Sequence, residues 1–175
     1  MSVRRRAFLA HAHPDLQFEN LRGNVETRIE KVRSGQVDVT LLALAGLKRL
    51  GLADEADAIL EPEVMLPAAG QGAVGIQIRE GDAARAALLE PINCARTVLR
   101  VMAERGVLEA LDGSCHTPVG AYAEILGDGL MRLRGWHAAM DGAEILKEDW
   151  TQAVQSADEA RAFGRRIGEA IKDLS

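Results

Sequence analysis

Cysteine, aromatic residues and long apolar runs are all scarce in this chain. Among its 175 residues there are two cysteines, Cys94 and Cys115, and aromatic residues make up 3%. Two cysteines do not make a disulfide framework, and no Cys-x-x-Cys or His-x-x-x-His spacing indicates zinc. No apolar run approaches the roughly 18–20 residues that span a bilayer, and the basic residues 4–6 are not followed by the apolar core of a signal peptide. These absences predict a cytoplasmic, globular protein without a metal or a membrane segment.

Acidic residues are scarce in the first 50 positions, which hold five acidic and nine basic side chains. The rest of the chain holds 21 acidic and 12 basic ones, and the net charge is −5. The basic half indicates an anionic ligand. Nucleic acid is disfavoured because aromatic residues are few, no nucleic-acid-binding motif is present and the chain as a whole is acidic.

The first half of the chain alternates between helical and strand patterns. Ser2 is placed to cap a first helix. Alternating apolar residues predict short strands at residues 16–21 and 37–42, and helical patterns follow them at residues 25–33 and 43–50. This order predicts a parallel α/β layer, in which ligands gather at the carboxyl ends of the strands.

Five arginines follow these predicted strands or lie near helix starts. Arg4 and Arg5 occupy the first turn of the first helix, where cations oppose the helix dipole unless a bound anion offsets them. A guanidinium binds a carboxylate through two parallel hydrogen bonds, which lysine cannot match. Each arginine alone is more often a solvated surface charge, so the hypothesis of one polycarboxylate cleft rests on their shared placement. The five are Arg4, Arg5, Arg22, Arg28 and Arg49.

Residues 70–75 contain a literal G-x-G-x-x-G. A dinucleotide-binding fingerprint follows a strand and opens a helix, whereas residues 73–78 are themselves strand-like and the next helical pattern comes later. We therefore interpret the glycines as a hinge or domain crossing that leads into a strand.

From residue 95 onwards the pattern is typical of a separate α+β domain. A long helix at residues 95–111 precedes strands at residues 119–126, 130–140 and 143–150, and Asp-Gly turns mark antiparallel hairpins. A capping box at Ser156 opens a closing amphipathic helix. We expect a three-stranded antiparallel sheet with two helices on one face.

Cys115 lies on the short connection between this long helix and the first strand. Gly113 is placed as a left-handed cap of the helix, so residues 114–116 should lie outside the core with an accessible thiol. The alternative is that Cys115 is a small buried hydrophobe, as free cysteines often are. Cys94, at the start of the helix, is expected to be structural.

Six distinctive motifs follow one another along nearly the whole chain. They are Ser2-Val3-Arg4-Arg5, Leu21-Arg22-Gly23-Asn24 with Thr27-Arg28, Ala45-Gly46-Leu47-Lys48-Arg49-Leu50-Gly51, Pro67-Ala68-Ala69-Gly70-Gln71-Gly72-Ala73, Ala103-Glu104-Arg105 and Gly113-Ser114-Cys115. In this order they resemble the motifs of hydroxymethylbilane synthase, also called porphobilinogen deaminase.

The resemblance implies a three-domain, typically monomeric transferase of haem and chlorophyll biosynthesis. Such enzymes condense four porphobilinogen molecules into hydroxymethylbilane, with loss of ammonia, on a covalent dipyrromethane primer. The partners implied are porphobilinogen and the growing oligopyrrole. The fold implied is a partial parallel α/β domain, periplasmic-binding-protein-like, followed by the small α+β domain.

The resemblance also implies residue roles. Cys115 matches the cysteine that holds the primer by a thioether, and a mobile loop thiol suits alkylation by the methylene left when porphobilinogen loses ammonia. The implied substrate-binding residues are the five arginines. The implied cofactor-binding residues are Cys115, Ser2, Arg4, Arg5, Arg22, Asn24, Arg28 and Gln71.

Two departures from the family pattern affect the expected activity. Ser114 replaces a glycine that usually precedes the cysteine, and no residue matches the aspartate that stabilises positive charge on the pyrrole nitrogen. We therefore expect a carboxyl-terminal portion that lacks the amino-terminal domain and is inactive alone, unless another chain supplies the missing part. Its expected divisions are an arginine-bearing part (residues 1–70), a crossing segment (71–92) and a cysteine-bearing domain (93–175). The alternative is a non-catalytic module that binds or carries oligopyrrole carboxylates.

Overall fold

The computed structural model describes residues 2–114 and 116–174. Within them the helices are α1 (Val3–Ala12), α2 (Val25–Arg33), α3 (Leu44–Arg49), α4 (Ala83–Leu89), α5 (Ala95–Ala110) and α6 (Ala157–Asp173), with short 3-10 helices at Ala53–Glu55 and Glu90–Ile92. The strands are β1 (Val119–Gly127), β2 (Leu130–Ala138) and β3 (Ile145–Ala153). None of the helices in these two ranges is long and apolar enough to cross a bilayer.

The chain folds as two compact units. Unit 1 comprises the residues up to Met65 together with His116–Pro118 and Ala138–Ile145. Among the described residues, unit 2 comprises residues 66–114, 119–137 and 146–174. The turn between β2 and β3 therefore belongs to the same unit as α1.

The predicted three-stranded antiparallel sheet is confirmed. Its strand order is β1-β2-β3, and β1 pairs with β2 in an antiparallel register that sets Val119 opposite His137. The turn between them places Asp128 and Gly129 at positive φ, as the Asp-Gly signal predicted. The second hairpin is wider than predicted, because β2 ends at Ala138 and β3 begins at Ile145.

Helices α5 and α6 of unit 2 cover one face of this sheet, also as predicted. A Cβ built on Gly135, in the middle of β2, would lie 3.1–3.2 Å from side-chain atoms of Ile171, Ile167 and Val107. These three residues are fully buried, so α5 and α6 meet over the central strand. Burial of this apolar face is the dominant stabilising contribution to the unit.

The N-terminus of α6 bears the predicted capping residues with one shift in pairing. The Ser156 side chain accepts a hydrogen bond from the Glu159 N–H, as a capping box requires. The Glu159 carboxylate accepts from the Gln155 N–H at 2.9 Å, one residue before the cap. The buried stripe includes Phe163, Ile167 and Ile171, whereas Leu174 at the end of the helix is exposed.

Glycines let α5 and α6 approach closely. A Cβ on Gly164 would overlap the Ala103 carbonyl oxygen and lie 3.0 Å from Gly106 Cα. Gly164→Ala should therefore lower the free energy of unfolding by about 1–3 kcal/mol or more, as overpacking does. Gly46→Ala is the matched control, since its nearest atom lies at 4.0 Å, and it should be neutral or stabilise by up to about 1 kcal/mol. Urea denaturation measures both, and equal effects would contradict the close approach.

The parallel sheet predicted for the first half is wrong for the part of the chain that the structure describes. Residues 16–21, 37–42 and 73–78 form no strand, although α1, α2 and α3 are present. Strand formation needs a neighbouring ladder, which apolar alternation alone does not supply. Val39 is 66% exposed and Val74 is 91% exposed, so these segments also lack a layer against which to pack.

Two predicted helix caps differ in the structure. Ser2 occupies the N-cap position of α1, but its side chain makes no capping hydrogen bond. At the end of α5 the left-handed residue is Asp112, with φ 50°, rather than Gly113. Asp and Asn are the non-glycine residues that tolerate this conformation best, so Asp112 takes the role predicted for the glycine.

Candidate functional site

The first turn of α1 presents two guanidinium groups. Arg4 is 7% exposed, and burial, with the charge of Arg5 second, lowers the pKa of Arg4 to about 10. Arg5 Nη1 donates to the Leu41 carbonyl oxygen at 2.7 Å, which fixes its direction. Burial and then the charge of Arg28 lower the pKa of Arg5. Both side chains remain cationic at neutral pH, in a place where the helix dipole also disfavours cations.

The start of α2 is a rigid turn. Asn24 caps the helix, because its side-chain oxygen accepts from Thr27 N–H at 2.9 Å and from the Thr27 hydroxyl at 2.7 Å. Gly23 takes φ 118°, and its carbonyl oxygen accepts from Arg28 Nε at 3.0 Å. The Asn24 oxygen is thus committed to the cap, and the amide nitrogen, which donates to Glu26 Oε2 at 3.4 Å, keeps a second N–H that can face a ligand.

Three of the five predicted arginines come together in unit 1. Arg4 and Arg5 repel each other, and Arg28 lies close enough to Arg5 to lower its pKa. We call Arg4, Arg5 and Arg28 the arginine cluster. Arg22 and Arg49 are exposed, and no contact described for residues 2–114 or 116–174 joins either side chain to the cluster. Ser2 is exposed directly before α1.

The other side of α2 has the opposite character. A groove of about 350 Å³ is lined by glutamates on α2 and by the Arg33–Glu55 ion pair, whose closest N–O distance is 2.6 Å. Arg28 lies two residues, or about 200°, around the helix from Glu26, which lines this groove. The groove is therefore unsuited to a polycarboxylate, and the cluster side of α2 is suited to one.

Gln71 lies in unit 2, on an exposed segment whose start is tied to the domain core. The N–H of its neighbour Gly70 donates to Glu104 Oε2 at 2.7 Å, and Glu104 Oε1 accepts from Ala123 N–H at 3.0 Å. The Pro67 carbonyl oxygen accepts from Ala121 N–H at 3.1 Å. One buried carboxylate on α5 thus joins Gly70, the residue before Gln71, to β1.

Cys115 lies outside the described residues. On its amino-terminal side, Leu111 is buried and Asp112 forms an ion pair with Lys172 at 3.1 Å. On its carboxyl-terminal side, the Pro118 carbonyl oxygen accepts from the Ala138 N–H at 3.0 Å. The structure thus gives a side-chain contact three residues before the cysteine and a backbone hydrogen bond three residues after it.

Two family models match the chain. The one described as Porphobilinogen deaminase, dipyromethane cofactor binding domain, matches residues 1–87. The one described as Porphobilinogen deaminase, C-terminal domain, matches residues 98–173. The chain belongs to the porphobilinogen deaminase family. This family of transferase-type enzymes acts in tetrapyrrole biosynthesis, uses porphobilinogen as substrate and binds a dipyrromethane cofactor.

The porphobilinogen deaminase matches also bear on the expected missing domain. The first match begins at residue 1, so it gives no support to the expectation that the amino-terminal domain is absent. It includes the whole arginine cluster, and the second match includes Cys115.

The residues of unit 1 fit the dipyrromethane cofactor of this family. Its pyrroles carry acetate and propionate groups, and guanidinium groups close enough to lower one another's pKa suit carboxylates of that kind. Arg4, Arg5 and Arg28 would hold them, with the Asn24 amide and Ser2 nearby in the chain. When bound, the cofactor supplies the pyrrole to which further units are added.

The sequence pattern did not predict the role of Glu104. It lies 5% exposed in α5, next to Ala103 on the face that packs against the core. A carboxylate among the buried positions of an amphipathic helix needs hydrogen-bond donors, and that pattern is the signal that could have found it.

Glu104 gives a stability prediction with a defined sign. Burial raises its pKa above the ordinary value of 4.5, although the N–H groups of Ala123 and Gly70 and the charge of Arg100 act in the opposite direction. Just above the ordinary pKa the folded chain binds more protons than the unfolded chain, so this group makes the free energy of unfolding fall as pH rises through the folded pKa. Glu104→Gln should remove that slope.

Glu109, on the same helix, is the control for this measurement. Hydrogen bonds from Arg161, the largest cause, lower the pKa of Glu109, so its contribution to stability is lost as pH falls. Glu109→Gln should therefore change the slope in the opposite direction. Urea denaturation from about pH 3 to 8 measures both, since the effect of Glu109 falls below its ordinary pKa and that of Glu104 above it, and slopes of one sign would contradict the assignment.

Proposed function

We propose that this chain holds the growing oligopyrrole in the condensation of porphobilinogen to hydroxymethylbilane, with the primer on Cys115 and its carboxylates on the arginine cluster. The observation that carries the proposal is the convergence of Arg4, Arg5 and Arg28, with lowered pKa values for Arg4 and Arg5. The two family matches support it.

The cluster supplies direction as well as charge. Arg5 donates a hydrogen bond to the Leu41 carbonyl oxygen, and Arg28 donates one to the Gly23 carbonyl oxygen. These bonds fix the two guanidinium groups, whose remaining N–H groups can bind a carboxylate. Anchored guanidinium groups lose little side-chain entropy when they bind, which favours a defined pose over simple charge neutralisation. We propose that Arg22 and Arg49 act at the edge of the same site, on longer pyrrole chains.

Cys115 supplies the nucleophile for the covalent attachment. Its sulfur bonds to the methylene carbon of a porphobilinogen-derived unit as the bond between that carbon and the amine breaks. The thiol proton and the amine leave together as ammonia, so atoms and charge balance. We also propose a role for each division of the chain. Residues 1–70 bind carboxylates, residues 71–92 form the crossing segment, and residues 93–175 present the cysteine.

Turnover of porphobilinogen by the purified chain tests the proposal. We expect intact mass to show a dipyrrole adduct and porphobilinogen to bind, with both lost on reversing charge through Arg5→Glu. Hydroxymethylbilane formation would establish the full activity. Binding without turnover would favour the carrier module, because no residue matches the family's catalytic aspartate. Absence of adduct and of binding would overturn both.

A further inference from the structure

One face of α1 joins the arginine cluster to a second contact. Arg4, Ala7 and His11 are spaced three and four residues apart, so they lie on the same side of the helix. Ala7 is fully buried and Arg4 nearly so. The buried face of α1 therefore begins at an arginine of the cluster and includes Ala7, and the exposed His11 follows one turn later on the same side of the helix.

The turn between β2 and β3 sits against the far end of that face. A Cβ built on Gly142 would lie 2.6 Å from the Ala7 carbonyl oxygen, 2.8 Å from Ala10 Cβ and 2.9 Å from the His11 backbone nitrogen. The His11 ring donates from Nδ1 to the Gly142 carbonyl oxygen at 3.1 Å, since a carbonyl can only accept. Gly142 has φ 80°, so glycine is required here both by space and by conformation.

This turn is itself braced. Ala139 N–H donates to the Glu144 carbonyl oxygen and Gly142 N–H to the Ala139 carbonyl oxygen, both at 3.0 Å. The Asp141 carboxylate accepts from Ala143 N–H at 3.0 Å. The loop therefore presents Gly142 in one conformation.

At its base the same turn is connected to the chain that follows Cys115. Ala138 N–H donates to the carbonyl oxygen of Pro118, which is buried and lies three residues after the cysteine. His116–Pro118, the turn and α1 all belong to unit 1. A short path of contacts thus runs within unit 1 from the arginine helix through Gly142 to Pro118.

We propose that Gly142 and His11 are positioning residues that set α1, with Arg4 and Arg5, at a fixed place relative to the chain after Cys115. This rests on the proposed function, because it assigns the contact the task of holding carboxylate-binding groups in place relative to His116–Pro118 of the same unit. The contact orients Arg4 and Arg5 and touches no substrate itself. Its loss should weaken binding without unfolding unit 2.

Two matched pairs of variants in the full chain test this proposal. Gly142→Ala introduces a Cβ against α1, whereas Gly129→Ala carries the same conformational strain, at φ 73°, with only the Val154 carbonyl oxygen at 4.0 Å. His11→Ala removes the donor, whereas His11→Asn places an amide N–H where Nδ1 stood and should restore it. Hydrogen exchange of α1 and titration with porphobilinogen are the two readouts.

We expect Gly142→Ala and His11→Ala to lower protection of α1 amides by about tenfold and to weaken porphobilinogen binding several-fold, with α5 and α6 unchanged. Gly129→Ala and His11→Asn should behave like the parent chain. Equal exchange in Gly142→Ala and Gly129→Ala, or faster exchange with unchanged binding, would overturn the positioning role. If the parent chain binds no porphobilinogen, the proposed function fails and this role falls with it, while exchange alone still decides whether the turn docks on α1.

Discussion

Replacing Cys115 by serine should leave the chain without a covalent dipyrrole. The thiolate is the nucleophile in this attachment, and a serine hydroxyl at neutral pH is too weakly ionised to replace it without a general base. Intact-mass measurement on chain produced with a supply of porphobilinogen should show the adduct on the parent protein and none on the variant. We expect the adduct to be lost completely, because the thioether contains one sulfur atom and Cys115 supplies it.

Cys94 is a demanding control for this experiment. It was expected to be structural, yet it is exposed, and the Thr97 hydroxyl donates to its sulfur at 3.2 Å. That hydrogen bond is the main cause that lowers the pKa of Cys94, so general thiol reactivity would favour this cysteine. Cys94→Ser should keep the adduct. A dipyrrole mapped to the peptide that contains Cys94 would contradict the assignment to Cys115.

The three-stranded sheet and the helices α5 and α6 could be predicted from the sequence because their signals are local. The Asp-Gly turns, the Ser156 cap and the stripe of Phe163, Ile167 and Ile171 each act within a few residues, and each is found in the structure. Hairpins bring neighbouring segments together with little loop-closure cost. Local consistency of this kind is sufficient to specify a three-stranded sheet with its helices.

The first half could not be predicted in the same way. Residues 37–42 have the apolar alternation of a strand, but a parallel strand depends on partners distant in the chain. In the structure the Leu41 carbonyl oxygen is used by the Arg5 side chain rather than by a neighbouring strand. The apolar pattern therefore predicted the helices of the first half, whereas the polar contacts between its segments could be found only from the structure.

The sequence predicted the candidate arginines by residue type, and the structure distinguishes the more buried ones from the exposed ones. Burial and repulsion distinguish Arg4 and Arg5 from Arg49, a distinction that sequence spacing does not contain. Glu104 and Gly142 were missed because their roles depend on backbone groups far along the chain, Ala123 for one and Ala7 for the other. Such contacts leave no motif beyond a buried acid and a turn glycine.

Arg5→Lys should weaken porphobilinogen binding by about 5- to 150-fold, which corresponds to roughly 1–3 kcal/mol for a lost charge-assisted hydrogen bond. A lysine keeps the charge but cannot hold the Leu41 carbonyl oxygen and also present two parallel N–H groups to a carboxylate. Arg4→Lys and Arg28→Lys should have effects in the same range. Titration of each variant with porphobilinogen, alongside a thermal melt to confirm folding, gives the comparison.

Arg49→Lys is the matched control, since Arg49 is exposed in the last turn of α3 and contacts no member of the cluster among the described residues. A solvated arginine contributes little through its fork, so we expect less than about a twofold change in affinity for this single-pyrrole substrate. The contrast separates bidentate recognition from general attraction, because all four substitutions preserve net charge. If Arg5→Lys and Arg49→Lys bind porphobilinogen equally well, charge alone accounts for the basic first half, and the arginine cluster is a solvated face rather than a carboxylate site.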